Sequence, residues 1–341
     1  MTTPRFTMPA EWERHSRTWL AWPHQRRDWP GKFAPVPWVF AEIARLITLS
    51  ERLGLVVRDT AAKAEAEEIL SLSGVNLDLV DFVIAATDRG WLRDCGAIFV
   101  RDAAGRKTAL RFGFTGWAKY RNHKKDAALP VPIAVAAGVA LVEAGFVLEG
   151  GGIDVNGAGC VLTTEEWLLS DKQIRNKGFT RERYEALFAE YLGAPQTIWL
   201  GNGIVGDDTH GHVDDLARFV SADTIVCVRE QDRTDANFAA LEDNWARLSR
   251  ARDAAGKQFT VAALPMPRPV LFEGERLPAS YANFLITNGH VLVPLFNDPA
   301  DREALNVLAA CFPGRDVVGL YARDLVLGLG TVHCLTQLEG A

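Results

Sequence analysis

The feature of this 341-residue sequence that most constrains its fold is a recurring unit of two strands, a helix and a third strand. Short apolar segments come in pairs joined by Gly, Asn, Asp or Ser, the residues that tight β-turns favour. The predicted hairpins are Ala97–Arg111, Gly152–Thr164, Ala217–Arg229 and Asn283–Leu295. After each hairpin, apolar residues recur at the spacing of an amphipathic helix, and a further strand follows. These helical segments are Pro130–Ala144, Thr180–Leu192, Asn237–Ala255 and Asp301–Cys311.

A fifth unit requires both ends of the sequence. Thr18–Trp22, Trp38–Leu53 and Leu55–Arg58 read as strand, helix and strand, and the missing hairpin partner is the final apolar run, Val332–Gln337. Pairing of these two end strands would close a ring of five units, and closure removes exposed sheet edges. We therefore predict an α/β fold of the five-bladed propeller type, formed as a single domain over residues 1–341. The alternative, a doubly wound α/β sheet, needs single strands between helices rather than hairpins.

The composition excludes several classes of protein. The net charge of -6 disfavours a broad nucleic-acid surface. The sequence contains neither a membrane-length apolar stretch nor the apolar segment of a secretory signal near its start. Its five cysteines include no CxxC pair, which disfavours a disulfide framework and a zinc ribbon. We expect a cytoplasmic enzyme with no membrane or nucleic-acid partner; the oligomeric state stays open, with a homo-oligomer among the alternatives.

Reactive residue types stand just ahead of the predicted strands. Asp94 precedes the first hairpin, Glu149 the second, and His212 and Asp214 the third, while Cys334 lies at the final strand. In a ring of similar units, equivalent positions face one axis. We therefore expect these residues, although far apart in sequence, to converge in one pocket.

The chemistry of these residues suits a guanidinium group. Carboxylates such as Asp94 and Asp214 accept the donor fork of a guanidinium in bidentate fashion. His212 is a candidate proton carrier, and Glu149 is the candidate that orients it. Cys334 is the candidate nucleophile, because positive charge beside a thiol lowers its pKa.

Two functions of other classes remain open at this point. The segment Thr209–Asp215 resembles the HxHxDH motif of metallo-β-lactamase-type hydrolases, but Asp215 replaces its last histidine and no second ligand set is evident. A non-catalytic protein that captures arginine-like ligands would need the acids but not Cys334. We favour an enzyme that needs neither a metal nor an organic cofactor.

Several motifs, taken in order, resemble the agmatine deiminase and bacterial-type peptidylarginine deiminase family. They are MPAEWERHSRTWLAWP (Met8–Pro23), WLRDCG (Trp91–Gly96), EGGGIDVNG (Glu149–Gly157), GHVDD (Gly211–Asp215), NFLITNGHVLVPLF (Asn283–Phe296) and HCLTQ (His333–Gln337). The resemblance implies the five-bladed pentein fold. It also implies hydrolysis of a guanidinium to a ureido group with release of ammonia, as in the conversion of agmatine to N-carbamoylputrescine, a step of putrescine biosynthesis.

The resemblance also implies residue roles. Asp94 and Asp214 would hold the guanidinium, His212 would be the acid and base, and Glu149 would orient it. Cys334 would attack the guanidinium carbon and form a covalent thiouronium intermediate.

The sequence predicts the residues that bind the rest of the substrate less fully than those that carry out the reaction. Trp91 and Trp117 are expected to wall the pocket, and the acids Asp207 and Asp208 are expected to receive the terminal amine of a small agmatine-like substrate. Free arginine and peptidylarginine remain alternative substrates, and amidino transfer to an amine remains an alternative reaction.

The sequence departs from the family pattern at four positions near the predicted chemistry. Cys95 and Ala97 stand in the first motif, and Leu329 and Thr331 stand in the approach to the nucleophile. The family's contact from the fourth unit falls within Ser280–Asn283. These departures leave the choice of substrate less determined than the class of reaction.

Overall fold

The computed structural model describes residues 4–341, so residues 1–3, with which the predicted domain begins, lie outside the described residues. The strands, in chain order, are β1 (Phe6–Thr7), β2 (His15–Ala21), β3 (Arg52–Val57), β4 (Val80–Ile84), β5 (Ile98–Asp102), β6 (Lys107–Gly113), β7 (Ala140–Val147), β8 (Asp154–Val155), β9 (Cys160–Thr164), β10 (Gln196–Leu200), β11 (Ala217–Ser221), β12 (Thr224–Arg229), β13 (Thr260–Pro265), β14 (Leu271–Phe272), β15 (Glu275–Arg276), β16 (Leu285–Ile286), β17 (His290–Leu295), β18 (Asp316–Tyr321) and β19 (Thr336–Gly340). The helices are α1 (Val36–Ile47), α2 (Thr60–Leu72), α3 (Leu92–Cys95), α4 (Pro130–Ala137), α5 (Glu165–Leu169), α6 (Arg181–Tyr191), α7 (Phe238–Arg250), α8 (Asp301–Cys311) and α9 (Val332–Leu335).

Five sheets repeat one pattern, in which an antiparallel pair of strands is joined by a third strand parallel to the second. They are β1-β5-β6-β7, β8-β9-β10, β11-β12-β13, β16-β17-β18 and β19-β2-β3-β4, and β14 and β15 form a separate hairpin. A helix connects the second and third strands of each unit, because a parallel pair needs a crossover connection. The chain therefore has a mixed α/β fold, and the sheets stay separate from one another within residues 4–341.

The two ends of the described chain pair with each other. Strand β19 lies antiparallel to β2, with Thr336 opposite Leu20. The predicted bounds of this last strand were wrong, because Val332–Leu335 forms a helical turn and the strand begins only after it. The side chain of Asn283 holds that turn by accepting a hydrogen bond from the Cys334 amide at 3.3 Å.

The predicted helix over Pro130–Ala144 was also too long. It ends at Ala137, because Gly138 adopts the left-handed conformation, with φ of 68°, that terminates a helix. Strand β7 begins at Ala140, so the second half of the predicted helix is a strand.

Two cores of buried apolar side chains hold the sheets and helices together. The larger contains α1, β2, β3, β12 and β17 and includes the fully buried Trp19 and Phe40. The smaller lies among β1, β6, β9 and α6 and includes Phe112, Tyr184 and Phe188. In residues 4–341 no helix has both the length and the apolar character required to cross a membrane.

In four of the five sheets, a tight turn precedes one strand of the antiparallel pair. Helix α3 precedes β5, a 3-10 turn at Gly150–Gly152 precedes β8, another at Val213–Asp215 precedes β11, and α9 precedes β19. Helix α3 contacts both α9 and Gly150–Gly152, which in turn contacts Val213–Asp215. The turns that carry or adjoin the predicted reactive residues therefore meet in one region.

The packing of β3 on β2 gives a test of the fold. A Cβ at Gly54 would overlap the indole ring of Trp19, which is fully buried. We expect Gly54→Ala to lower the free energy of unfolding by about 1–3 kcal/mol, because an overpacked core must shift to admit the methyl group. Urea denaturation measures the change. Gly314→Ala is the matched control, since a Cβ there meets nothing within 4 Å; equal losses in the two variants would contradict this account.

Candidate active site

A cavity of about 340 Å³ lies where these turns meet. Its lining includes five of the residues predicted from the sequence, namely Cys334, Asp94, Trp91, Trp117 and Asp208. The other three, His212, Asp214 and Glu149, are buried beside them, each with at most 1% of its surface exposed. The structure therefore brings all eight predicted site residues into one neighbourhood.

Cys334 lies in α9, and its sulfur faces polar groups of two other units. Asn283 Nδ2 lies 3.0 Å from Sγ, and Asp214 Oδ2 lies 3.5 Å from it. Burial raises the pKa of the Cys334 thiol well above its usual value, and the carboxylates of Asp214 and Asp215 raise it further. In the absence of a bound cation, the sulfur is therefore a thiol.

Asp94 lies in α3 and is held by two donors. Its Oδ2 accepts a hydrogen bond from Trp117 Nε1 at 2.8 Å, and its Oδ1 accepts one from the Gly151 amide at 2.9 Å. Burial raises the pKa of this carboxyl to about 6, assisted by the charge of Glu149 and opposed by that of His212. Asp94 is thus ionised at neutral pH but takes up a proton in mild acid.

His212 and Glu149 form a buried pair, with Nε2 and Oε2 separated by 2.9 Å. Arg175 and Trp167 also donate hydrogen bonds to Glu149. Burial opposes ionisation of Glu149, but Arg175 and His212 outweigh it and lower the pKa to about 2.

The pKa of His212 shifts the other way. Burial lowers it, but the charges of Asp94 and Glu149 prevail and raise it to about 9. Its Nδ1 lies 3.7 Å from Asp94 Oδ1 and has no hydrogen-bond partner among residues 4–341. At neutral pH the ring is therefore an imidazolium with one unused donor.

Asp214 uses only one of its two oxygens. Its Oδ2 lies 2.7 Å from His333 Nδ1, whereas Oδ1 is buried without a partner in the described part of the chain. Burial raises the pKa of this carboxyl, but His333, His212 and Arg218 outweigh burial and lower it. Asp214 is therefore an ionised carboxylate with a free oxygen, an arrangement suited to a cation.

Gly151 marks the point where three of these side chains meet. A Cβ at this position would lie 2.7 Å from His212 Nδ1, 2.9 Å from Asp94 Oδ1 and 3.1 Å from Asp214 Oδ2. Only glycine leaves room for the three side chains to approach one another.

The acidic residues predicted to receive an amine have different surroundings. Asp208 lines the cavity and accepts hydrogen bonds from Tyr120 Oη and from Lys119 Nζ, the latter at 3.2 Å. Asp207 does not line the cavity: its oxygens accept hydrogen bonds from the Thr209 amide at 2.8 Å and the Gly211 amide at 2.7 Å. Asp207 thus holds the loop that carries His212.

The four residues that depart from the family pattern differ in their distance from the chemistry. Leu329 lines the cavity in the left-handed conformation, with φ of 67°. Thr331 donates a hydrogen bond to Asn283 Oδ1 at 2.8 Å and so supports the residue that contacts the sulfur. Cys95 and Ala97 are buried and do not line the cavity.

The histidines of the predicted metal alternative point apart. His210 lies 3.0 Å from Ser170 Oγ, whereas His212 faces Glu149. Within the described residues, 4–341, no group of three or more His, Cys, Asp or Glu side chains is arranged to hold a metal ion.

Sequence reasoning did not identify several residues of this site. Asn283 fell within a segment that was only expected to contribute a contact, and Glu11 fell within a matching motif without an assigned role. No sequence feature indicated a role for Arg175 or Asp28, because a single arginine or aspartate in a loop is common. Asp28 lines the cavity and lies 3.1 Å from Trp91 Nε1, and burial raises its pKa to about 6.

Sequence and structure comparisons with known proteins point to deiminases. Residues 7–339 match the family described as Porphyromonas-type peptidyl-arginine deiminase. The chain is 37% identical to a protein named putative agmatine deiminase from Selenomonas ruminantium, with 98% of this chain and 97% of the relative covered. It is 35% identical to the agmatine deiminase of Stutzerimonas stutzeri, with 100% and 98% covered. The solved agmatine deiminase of Enterococcus faecalis is similar in structure, with a TM-score of 0.91, 30% identity, and 98% and 96% covered.

The His212–Glu149 pair gives a test of the site's electrostatics. We expect Glu149→Gln to lower the pKa of His212 from about 9, because the carboxylate that stabilises the imidazolium is lost. Titration of histidine ring resonances by NMR measures the shift, and a His212→Asn variant identifies the resonance. Glu165→Gln, which removes a carboxylate paired with Arg181 and Arg247 instead, is the control. An unchanged His212 pKa in Glu149→Gln would show that this pairing is not its cause.

Proposed function

Because the chain belongs to the Porphyromonas-type peptidyl-arginine deiminase family, we propose that it hydrolyses the guanidinium group of agmatine to a ureido group and releases ammonia. The observation that carries this proposal is the position of the Cys334 sulfur beside Asp214, whose Oδ1 is buried without a partner among residues 4–341. A guanidinium bound to that oxygen and to Asp94 satisfies the carboxylates and lies next to the nucleophile.

Binding of the cation also activates the sulfur. Burial and carboxylates raise the pKa of the Cys334 thiol, so positive charge held between Asp94 and Asp214 lowers it again. The thiol loses its proton, and the sulfur keeps the electron pair with which it attacks the guanidinium carbon. Substrate binding and generation of the thiolate are therefore one event.

His212 carries the proton needed for the first half of the reaction. Sulfur adds to the carbon, and the imidazolium gives its proton to the leaving nitrogen as the C–N bond breaks and ammonia departs. An S-alkylthiouronium remains on Cys334. Glu149 keeps the imidazole oriented throughout, because its hydrogen bond to Nε2 leaves Nδ1 directed toward Asp94.

Water completes the second half. The now neutral His212 takes a proton from a water molecule, whose oxygen attacks the thiouronium carbon, and the C–S bond then breaks. The electron pair of the C–S bond returns to sulfur, and the proton of the carbon-bound hydroxyl passes to solvent, where the released ammonia takes it up. The product then carries a neutral ureido group, His212 is again an imidazolium, and Cys334 is again a thiol once it recovers its proton. In this scheme Cys334 supplies the covalent step, and His212 carries the protons of the leaving nitrogen and of the attacking water.

The charge of the cavity lining favours agmatine over free arginine. Five carboxylic acids line the cavity against two arginines. The acids are Asp28, Asp94, Asp208, Glu273 and Glu275, and the cations are Arg27 and Arg89. An excess of acids attracts the terminal amine of agmatine and repels the carboxylate of arginine. Trp91 and Trp117 supply apolar walls for the methylene chain.

The proposal extends to the architecture and the compartment. Five sheets of one pattern, with β19 paired to β2, fit a single-domain, five-bladed propeller of the pentein type whose units surround the cavity. All five cysteines are free, which fits a reducing compartment such as the cytoplasm.

Replacement of the nucleophile tests the reaction. We expect wild-type protein to convert agmatine to a ureido product with one ammonia per turnover, and Cys334→Ala to form none, because the covalent step is lost. Ammonia and ureido assays with agmatine, arginine and an arginyl peptide measure both activity and preference.

A matched cysteine variant controls this experiment. Cys311→Ala removes a half-buried thiol on α8 that does not line the cavity, and it should retain activity. Mass spectrometry of the acid-quenched wild-type enzyme should show an adduct of substrate minus ammonia on Cys334. Full activity in Cys334→Ala, or product from arginine or the peptide in preference to agmatine, would refute the corresponding part of the proposal.

The raised pKa of Asp94 predicts the pH dependence of binding. Below about 6 this carboxyl is protonated and uncharged, so affinity for agmatine should fall as the pH drops through that value. Calorimetric titration of the inactive Cys334→Ala variant measures binding without turnover. Adding Asp94→Asn should weaken binding at every pH and reduce this step to the part that Asp28, whose pKa is also about 6, contributes. An affinity that stays constant across the step would mean that Asp94 does not hold the cation.

A further inference from the structure

A hydrogen-bonded array leads from the nucleophile to the N-terminal segment. The Cys334 sulfur lies 3.5 Å from Asp214 Oδ2, and the same oxygen lies 2.7 Å from His333 Nδ1. On the other side of the ring, His333 Nε2 lies 3.0 Å from Glu11 Oε2. All four side chains are buried, with 8% or less of each residue exposed.

The array has room for one more proton than a neutral imidazole provides. Both ring nitrogens of His333 face carboxylate oxygens, but neutral imidazole has only one N–H. The other nitrogen then presents its lone pair to a carboxylate, which is an unfavourable contact. A proton added to the ring converts that contact into a second charge-assisted hydrogen bond.

Charged groups around His333 determine the pKa of its ring. Burial and the guanidinium groups of Arg218 and Arg93 lower the pKa of His333, whereas Glu11 and Asp214 raise it. Arg218 lies 2.8 Å from Glu11 Oε2, and Arg93 donates a hydrogen bond to the His333 carbonyl at 3.2 Å. The ring is therefore neutral before substrate binds, and its vacant nitrogen is available.

We propose that His333, held by Glu11, is the internal acceptor of the proton that leaves Cys334 when a guanidinium binds. His333 does not touch the reacting atoms, so it is a positioning residue that acts through Asp214. The inference rests on the proposed function, because it assigns the place where the proton of the nucleophile goes.

The transfer balances in protons and charge. In the resting state, the Nε2–H of His333 donates to Glu11, and the unprotonated Nδ1 faces the ionised Asp214 Oδ2. The thiol proton passes to Asp214 Oδ2 and then to Nδ1, and the electron pair of the S–H bond stays on sulfur. The products are a thiolate and an imidazolium. Asp214 ends ionised, with Oδ2 on His333 and Oδ1 on the substrate. When product leaves, the proton returns along the same path.

His333→Asn tests the transfer through its pH profile. The Asn side chain keeps a polar group between Asp214 and Glu11 but takes up no proton. We expect kcat/KM for agmatine to fall about 10²-fold at neutral pH and to recover as the pH rises, because hydroxide then removes the thiol proton. Glu11→Gln should change the profile in the same direction and less strongly. His290→Asn, at the start of β17 and outside the lining of the cavity, is the control.

A spectroscopic measurement tests the same step without turnover. Guanidinium chloride at concentrations below those that unfold the protein should increase the ultraviolet thiolate absorbance of the wild type, with Cys334→Ser as the blank. His333→Asn should show no such increase at neutral pH. If agmatine is not a substrate but this difference persists, the proposed function fails and the inference stands.

Two results would overturn the inference. One is a uniform loss of activity in His333→Asn at every pH while guanidinium still generates the thiolate, which would indicate a purely structural role. The other is a wild-type pH profile and thiolate signal in His333→Asn. Thermal unfolding of each variant confirms that the comparison is made between folded proteins.

Discussion

Transfer of an ionised carboxylate from water into a protein interior is costly unless charges or hydrogen bonds compensate it. Around the cavity, Asp94, Asp214 and Glu149 are all buried, and the surrounding structure supplies their compensation unequally. Glu149 receives Arg175 and His212 and has a pKa of about 2, whereas Asp94 receives only neutral donors and has a pKa of about 6. Asp94, with its raised pKa, and Asp214, with its unpartnered Oδ1, are the carboxylates whose burial is not fully compensated. A bound cation would compensate both, and this gain would favour its binding.

This division of roles depends on the fold. Arg175 compensates Glu149 from the same unit, whereas His212 reaches it from another. The tight turns before β5, β8, β11 and β19 place side chains from distant parts of the sequence around Gly151. Turns of this kind are short and rigid, and strands with fully buried side chains anchor them. Small displacements of one sheet would therefore change distances between ionised groups by amounts that matter to their pKa values. A change in the packing of the cores would therefore also change the pKa values of the cavity's ionisable groups.

The sequence predicted the repeating unit because turn residues and apolar periodicity are local signals. It predicted the neighbourhood of Asp94, His212 and Cys334 because reactive residues stood at equivalent places in each unit. It failed where the outcome depends on tertiary contacts. The helix that ends at Gly138 read as continuous, since alanine and valine suit either structure, and Arg175 gave no signal, because its partner lies in another segment. The pKa shifts were likewise beyond prediction, since they arise from burial.

The pairing of β19 with β2 joins segments separated by almost the whole described chain. Contacts of such large sequence separation carry a large entropic cost in loop closure. Cys334 lies in the turn directly before β19, so its sulfur reaches its final position only when that pairing is complete. A partly folded molecule could then contain several complete sheets while Cys334 still lies apart from the other residues of the cavity. The position of Cys334 in the cavity therefore depends on the pairing of the two ends of the described chain.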